Sequence, residues 1–202
     1  MSEETTEITD EEQPTRSVDE LVEELAGASR RARQDASHEL AIIARRDPAA
    51  LESAFDALVD ALYRPEALTR WEILSALAEL CPEYADALAP AFDGAEASLF
   101  DEGSATVRLA AFLFLCALGA TTPERSDDAW PLLDEAIQCY HGDAEYRAML
   151  EGLLDFVRGD ISKETKKALV ERVSFDAENG VGYIKTFSAQ IVAESKKRKR
   201  KK

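Results

Sequence analysis

Cysteine, histidine, glycine, proline and long apolar runs are all in short supply in this chain, and each shortage narrows what it can be. Three cysteines, Cys81, Cys116 and Cys139, are odd in number and set far apart in apolar stretches, which argues against a disulfide framework and for a reducing compartment. Nine glycines and seven prolines among 202 residues, against an excess of Ala, Leu and Glu, leave little turn chemistry for a sheet and much for helices. The longest apolar run, Leu109 to Ala120, is 12 residues, short of the ~20 a membrane span needs. The opening MSEETTEITDEEQPT has neither the basic start nor the apolar run of a signal peptide. A soluble intracellular protein is expected, cytoplasmic, or nuclear if the source is a eukaryote.

Catalytic motifs are missing as well. No phosphate-cradling glycine loop, HExxH or GxSxG is present. Only His38 and His141 could serve as imidazole bases or ligands. Cys139 and His141 form a CxH, two ligands where zinc wants about four, so packing is the better account of that cysteine. Carboxylate pairs such as Asp127-Asp128 and Glu23-Glu24 are expected side by side on solvated faces in a chain with 40 acids. No catalytic residue, metal ligand or cofactor is expected, and the function should be non-enzymatic.

What the chain does have is charge, unevenly placed. The formal net is −16, with 46% hydrophobic and 32% charged residues, a globular composition. Residues 1–16 form an acidic leader of six acids and one base, without apolar periodicity, for which disorder is expected. Residues 17–195 form a body of 34 acids and 16 bases, net −18. Residues 196–202 are a basic tail of seven consecutive cations, Lys196, Lys197, Arg198, Lys199, Arg200, Lys201 and Lys202, again expected to be disordered.

Inside the body a basic residue recurs at the head of an amphipathic run: Arg33, Arg70, Arg108, Arg147 and Lys185. Their separations are 37, 38, 39 and 38 residues, and the seventh residue after each is aliphatic: Leu40, Leu77, Leu115, Leu154, Val192. Segments with their own helical period lie between, such as VDELVEELAG and SKETKKALVERV, so each unit reads as two antiparallel helices. Ser17 with Glu20 makes a capping box, Asp47-Pro48 an N-cap with proline in the first turn, and Pro65 introduces the next helix. Gly119, Gly142 and Gly159 fall where helices should stop.

Two-helix units with a period near 40, whose second helix opens on a basic residue, resemble HEAT repeats, within the armadillo-like α-solenoids. The resemblance covers roughly residues 18–195 and implies an all-α solenoid of about five antiparallel helix hairpins, with second helices lining a concave inner surface. One hairpin cannot bury its apolar face alone, whereas stacked neighbours make a continuous core. The family pattern usually sets an aspartate in the turn before the basic residue, forming a ladder between repeats. Here the nearest equivalents are Asp143 and Glu66, with Ser104 in the third unit. The last unit departs furthest, with Gly180 and Gly182 where its second helix should begin, as an atypical cap would. Such folds also include DNA glycosylases, but those need a basic inner surface and this body is at −18.

Two positions in each second helix share another side, and they read Gln34, Trp71, Leu109, Ala148, Thr186 and His38, Ser75, Leu113, Gly152, Gln190. The middle of the stack is apolar there. Helix 107–118 is apolar throughout except Arg108, either because it is surrounded on all sides or because Leu109 and Leu113, flanked by Trp71, form a groove for a partner. The candidate partner surface is therefore Trp71, Leu109, Leu113, His38 and Ser75. The five basic residues either pair with neighbouring carboxylates or present a ladder to an acidic partner. For the tail three accounts stand: an import signal, a polyanion contact, or a return onto the acidic surface. The leading function is a protein-binding scaffold or adaptor with the tail as electrostatic attachment; the alternative is a nucleic-acid- or ribosome-associated protein using the tail. The sequence leaves the oligomeric state open.

Overall fold

The computed structural model describes residues 16–197; residues 1–15 of the acidic leader and 198–202 of the tail lie outside them, together with the expectations made for those stretches. Ten α-helices and two short 3-10 segments follow one another, and no strand occurs among the described residues. They fall into five successive two-helix units. α1 (Val18–Ala26) pairs with α2 (Arg30–Arg46), and α3 (Phe55–Ala61), led in by a 3-10 turn at Pro48–Ala54, pairs with α4 (Ala67–Leu88). A turn at Ala89–Ala91 leads into α5 (Phe92–Leu99), which pairs with α6 (Ala105–Gly119). α7 (Pro123–Cys139) and α8 (Tyr146–Arg158) follow as the fourth unit, with α7 packed mainly on α6 and α9, and α9 (Lys163–Asn179) pairs with α10 (Gly182–Ser195) to complete the stack.

The helix boundaries follow from capping chemistry. The Ser17 hydroxyl accepts from the Glu20 amide while the Glu20 carboxylate accepts from the Ser17 amide at 2.8 Å, a full capping box. Ser29, Ser104, Thr122 and Ser162 cap α2, α6, α7 and α9 in the simpler one-bond form. Gly159 ends α8 and Gly119 is the last residue of α6. Gly142 lies in the α7–α8 connection at φ +85, a left-handed conformation that glycine adopts freely. Two expectations need correction. Asp47 makes no side-chain cap, and Pro48 starts a 3-10 turn because the chain must bend tightly before α3. Pro82 also lies inside α4, which breaks at Tyr84, where the freed backbone turns toward α5.

The five second helices, α2, α4, α6, α8 and α10, pack in sequence, each against the next. Their apolar seam is the core: Leu40, Leu77 and Leu115 are fully buried, Leu154 nearly so, and Val192 half-buried at the last position. On the other side, α7 and α9 are tied by side chains. The Ser162 and Thr165 hydroxyls both donate to Asp127 Oδ1, at 2.5 and 2.7 Å, and the Ser162 amide donates to Ser126 Oγ at 2.9 Å. These bonds hold the Asp127 carboxyl below its usual range, Ser162 contributing most.

Candidate functional site

α6 decides between the two accounts of the apolar run. Val107, Ala110, Ala111, Phe112, Phe114, Leu115, Cys116 and Leu118 are buried, and beyond the first turn the surface keeps Arg108 and the apolar stripe Leu109, Leu113, Ala117, half-exposed at one residue per turn. α6 is thus mainly the core of the stack, with a narrow apolar line left at its surface. Burial pushes the thiol of Cys116 well above its ordinary value and that of Cys81 up to about 12, so both are inert fillers.

Leu113 and Ala117 line an apolar recess of about 530 Å³ between α4, α6 and α8, completed by Pro82, Cys116, Gly152 and Phe156, with Asp155 as its one charge. Gly152 makes the recess possible, since a Cβ there would meet the Leu113 side chain at 2.7 Å. Trp71, 37% exposed, stands on α4 in the register of Leu109 on α6.

The other two candidate residues lie elsewhere. His38 is exposed on α2, its Nδ1 2.9 Å from Glu72 Oε1, in a polar recess shared with Arg16, Gln34, Asp35, Glu39 and Leu68. Arg16, at the end of the leader, is anchored there by ion pairs to Glu24 and Glu39. Ser75 donates to its own helix, to the Trp71 carbonyl at 2.9 Å. The five positions are therefore not brought together: Leu113 lines the apolar recess, His38 the polar one, and Trp71, Leu109 and Ser75 line neither. Pro82, Gly152 and Asp155 complete the apolar recess; Gly152 was visible as the one glycine in the surface column, whereas Pro82 comes in only through the break in α4.

The recurring basic residues pair along the stack. Arg33 is bonded to Glu66, Arg70 to Asp101 at 2.8 Å and Arg108 to Glu145 at 2.7 Å, each carboxylate standing in the turn before the next second helix. Arg33 and Arg108 also donate to the carbonyls of Gly27 and Asp101, at 2.8 and 2.9 Å. The ladder expected from the resemblance is present, with two of its acids relocated: Asp101 serves where Ser104 was the nearest equivalent, and Glu145 where Asp143 was. Ser104 is instead the cap of α6, and Glu145 occupies the N-cap position of α8. Hydrogen bonds from Arg33 lower the Glu66 carboxyl below its ordinary value against the opposing effect of burial. Burial raises that of Asp101, but Arg70 and the amides of Gly103 and Ser104 bring it below the usual range. Arg147 breaks the series. Its partner is Glu151 on its own helix at 3.3 Å, and its guanidinium lies 5.8 Å from the Phe187 ring centroid. Lys185 donates to the Glu178 carbonyl.

Cys139 is exposed near the end of α7, which corrects the expectation that it packs between helices, and His141 Nε2 lies 3.1 Å from Asp176 Oδ2. No group of three or more His, Cys, Asp or Glu side chains that could hold an ion occurs among the described residues. No helix among them is long and apolar enough to cross a membrane.

Comparison by sequence returns no matching family model and no matching curated protein. Comparison of structures is informative about the fold. A designed armadillo repeat protein solved in complex with the peptide (KR)4 superposes with a TM-score of 0.71 at 16% identity, over 87% of this chain and 80% of that one. A computationally designed armadillo repeat protein for modular peptide recognition gives 0.69 at 17% identity, over 86% and 80%. An engineered protein at 22% identity gives 0.69 over 89% of this chain and 47% of its own. The architecture is an all-α armadillo/HEAT-like repeat solenoid.

Proposed function

We propose that the protein is a non-enzymatic scaffold that captures an extended segment of a protein partner along its row of second helices. The observation that carries this reading is the recess of about 530 Å³ beside Leu113, an apolar surface inside a row otherwise edged by carboxylates. Trp71 and Leu109 extend the apolar line, and Glu79, Glu151 and Asp155 are exposed close to it in sequence and register. Long cationic side chains suit such a border, because their aliphatic stems lie on apolar surface while their heads meet carboxylates. Similar solenoids are designed for peptide recognition, and one holds (KR)4. That peptide is therefore the first probe. Titrating it while following tryptophan fluorescence should give saturable binding, weakened about tenfold or more by Leu109→Lys, a loss of at least ~1.4 kcal/mol. Unaltered binding in Leu109→Lys, with unfolding cooperativity retained, would place the peptide elsewhere and sink the reading.

A further inference from the structure

We propose that the outward face of α9 is a homodimer surface, on which α9 of a second copy of this chain lies antiparallel about a two-fold axis. The surface is separate from the peptide site: it belongs to the first helices of the units, whereas the recess beside Leu113 lies among second helices.

Three polar ties join α7 to α9. Asp127 meets Ser162 and Thr165 at one end, Arg172 Nη2 donates to Asp134 Oδ2 at 2.8 Å in the middle, and His141, just past α7, meets Asp176 at the other end. Between the ties two recesses stay open. One of about 510 Å³ is lined by Trp130, Asp134, Ala168, Glu171 and Arg172, one of about 270 Å³ by Ile137, Tyr146 and Val173, and Phe175 borders both. At 73% exposure Phe175 is the most exposed aromatic ring among the described residues.

This knob and the larger recess share one stripe. Glu164, Ala168, Glu171 and Phe175 recur at the three- and four-residue spacing of a single helix face. Phe175 stands about 10 Å along the helix from Ala168, whose short side chain leaves the recess open beside Trp130. With the two-fold axis set between Glu171 and Arg172, each Phe175 comes level with Ala168 of the second copy. Both knobs then enter both recesses, the self-complementarity that a two-fold interface requires. Near the axis each Glu171 comes level with Arg172 of the second copy.

Charge order selects a second copy as the occupant. α9 holds four bases and four acids within a body at −18, so copies repel one another over most of the surface and not here. Residues 163–170 hold Lys163, Glu164, Lys166 and Lys167, net +2, and residues 171–179 hold Glu171, Arg172, Asp176 and Glu178, net −2. That order opposes the helix dipole, which favours acids at the start of a helix and bases at its end. An antiparallel copy sets each positive half against a negative one. A parallel copy sets like against like, and a partner charged uniformly with either sign is repelled by one half. Lys167 and Glu178 are exposed and eleven residues apart, hence on one side of the helix, so Lys167 of one copy stands opposite Glu178 of the other.

The test is sedimentation equilibrium of the full chain from ~1 to ~500 µM, because a contact of one helix per partner is small for a specific interface and should dissociate on the order of 100 µM. The mean mass should rise toward that of two chains. A mass of one chain throughout overturns the proposal, and so does growth beyond two, since a two-fold contact closes. Phe175→Ala should weaken association at least about tenfold. Its ring is exposed, so its thermal melt at ~1 µM, where the chain is monomeric, should match the parent. Unaltered association in Phe175→Ala overturns the knob. Lys167→Glu and Glu178→Lys should each weaken association about tenfold, and the two together should restore it. Within one chain these positions are about 16 Å apart, so restoration reports a contact between copies. Failure of the double variant to recover overturns the antiparallel pairing.

Discussion

The first three junctions of the stack and the fourth are built on the same repeat but closed differently. At the first three, an arginine from one unit reaches a carboxylate in the turn of the next, and both side chains are largely buried: 10% and 6% exposed for Arg33 and Glu66, 14% and 8% for Arg108 and Glu145. At the fourth, Arg147 is 64% exposed and bonded within its own helix. The last unit is also thinly packed. α10 buries only Ser188 and Ile191, and the Ser188 hydroxyl has no partner, whereas α2, equally at an end of the stack, buries seven side chains. In a repeat protein each junction contributes its own free energy, so the stack need not be equally firm along its length. The last unit is held to α7 by Asp127, Ser162 and Thr165 and to α8 by the half-exposed pair Arg158–Glu194 at 3.6 Å, in place of a buried arginine pair reaching into its turn.

The largest effect should come from breaking a closed junction. Glu66→Ala leaves the Arg33 guanidinium buried without its carboxylate and should cost about 3–5 kcal/mol in urea unfolding, as should Glu145→Ala through Arg108. Acid tests the same pairs without mutation. The folded-state values of Glu66 and Asp101 are depressed below the ~4.3 and ~3.9 of an unfolded chain. Their contribution is therefore fully present above those values and is lost as pH falls through the depressed folded ones. Melting temperature should drop on acidification below about pH 5, and Glu66→Gln should flatten part of that fall. Next in size is a difference along the chain: amides of α9 and α10 should exchange with solvent well before those of α4 and α6. Uniform protection across all five units would show that the fourth junction is as firm as the others.

Much of this was legible in the sequence, for a physical reason. Burial imposes a periodic constraint, and Arg33, Arg70, Arg108, Arg147 and Lys185 with their aliphatic partners carry it openly. The ladder acids were harder. Their distance from the next basic residue is four at Glu66, seven at Asp101 and two at Glu145, because turns of different length bring a carboxylate to the same place in space. Spacing cannot reveal what only the turn geometry equalises. The candidate surface was read in part for a similar reason. Leu113 and Trp71 follow from helical register, but Pro82 joins the recess through the break at Tyr84, and His38 is separated from it by the acidic side of α2.

The smallest effects are also the sharpest, because they try to turn the fourth junction into a copy of the others. Glu66 and Glu145 occupy the N-cap positions of α4 and α8, and the corresponding residue of α10 is Val181, 79% exposed and without a capping bond. Val181→Asp removes no core packing, supplies the missing cap, and puts a carboxylate where the ladder needs one. It should stabilise by about 1 kcal/mol from the cap alone. In the parent chain Arg147→Ala should cost less than about 1 kcal/mol, as an exposed pair does. In the Val181→Asp background the same truncation should cost more, because Arg147 then has a partner in the next unit. A double-mutant cycle in urea reads that coupling directly, as a non-additivity of at least about 0.5 kcal/mol. Strict additivity would mean that Gly180 and Gly182, not the absent carboxylate, keep α10 too far from Arg147, and that the last junction differs from the others in backbone geometry and not in one missing charge.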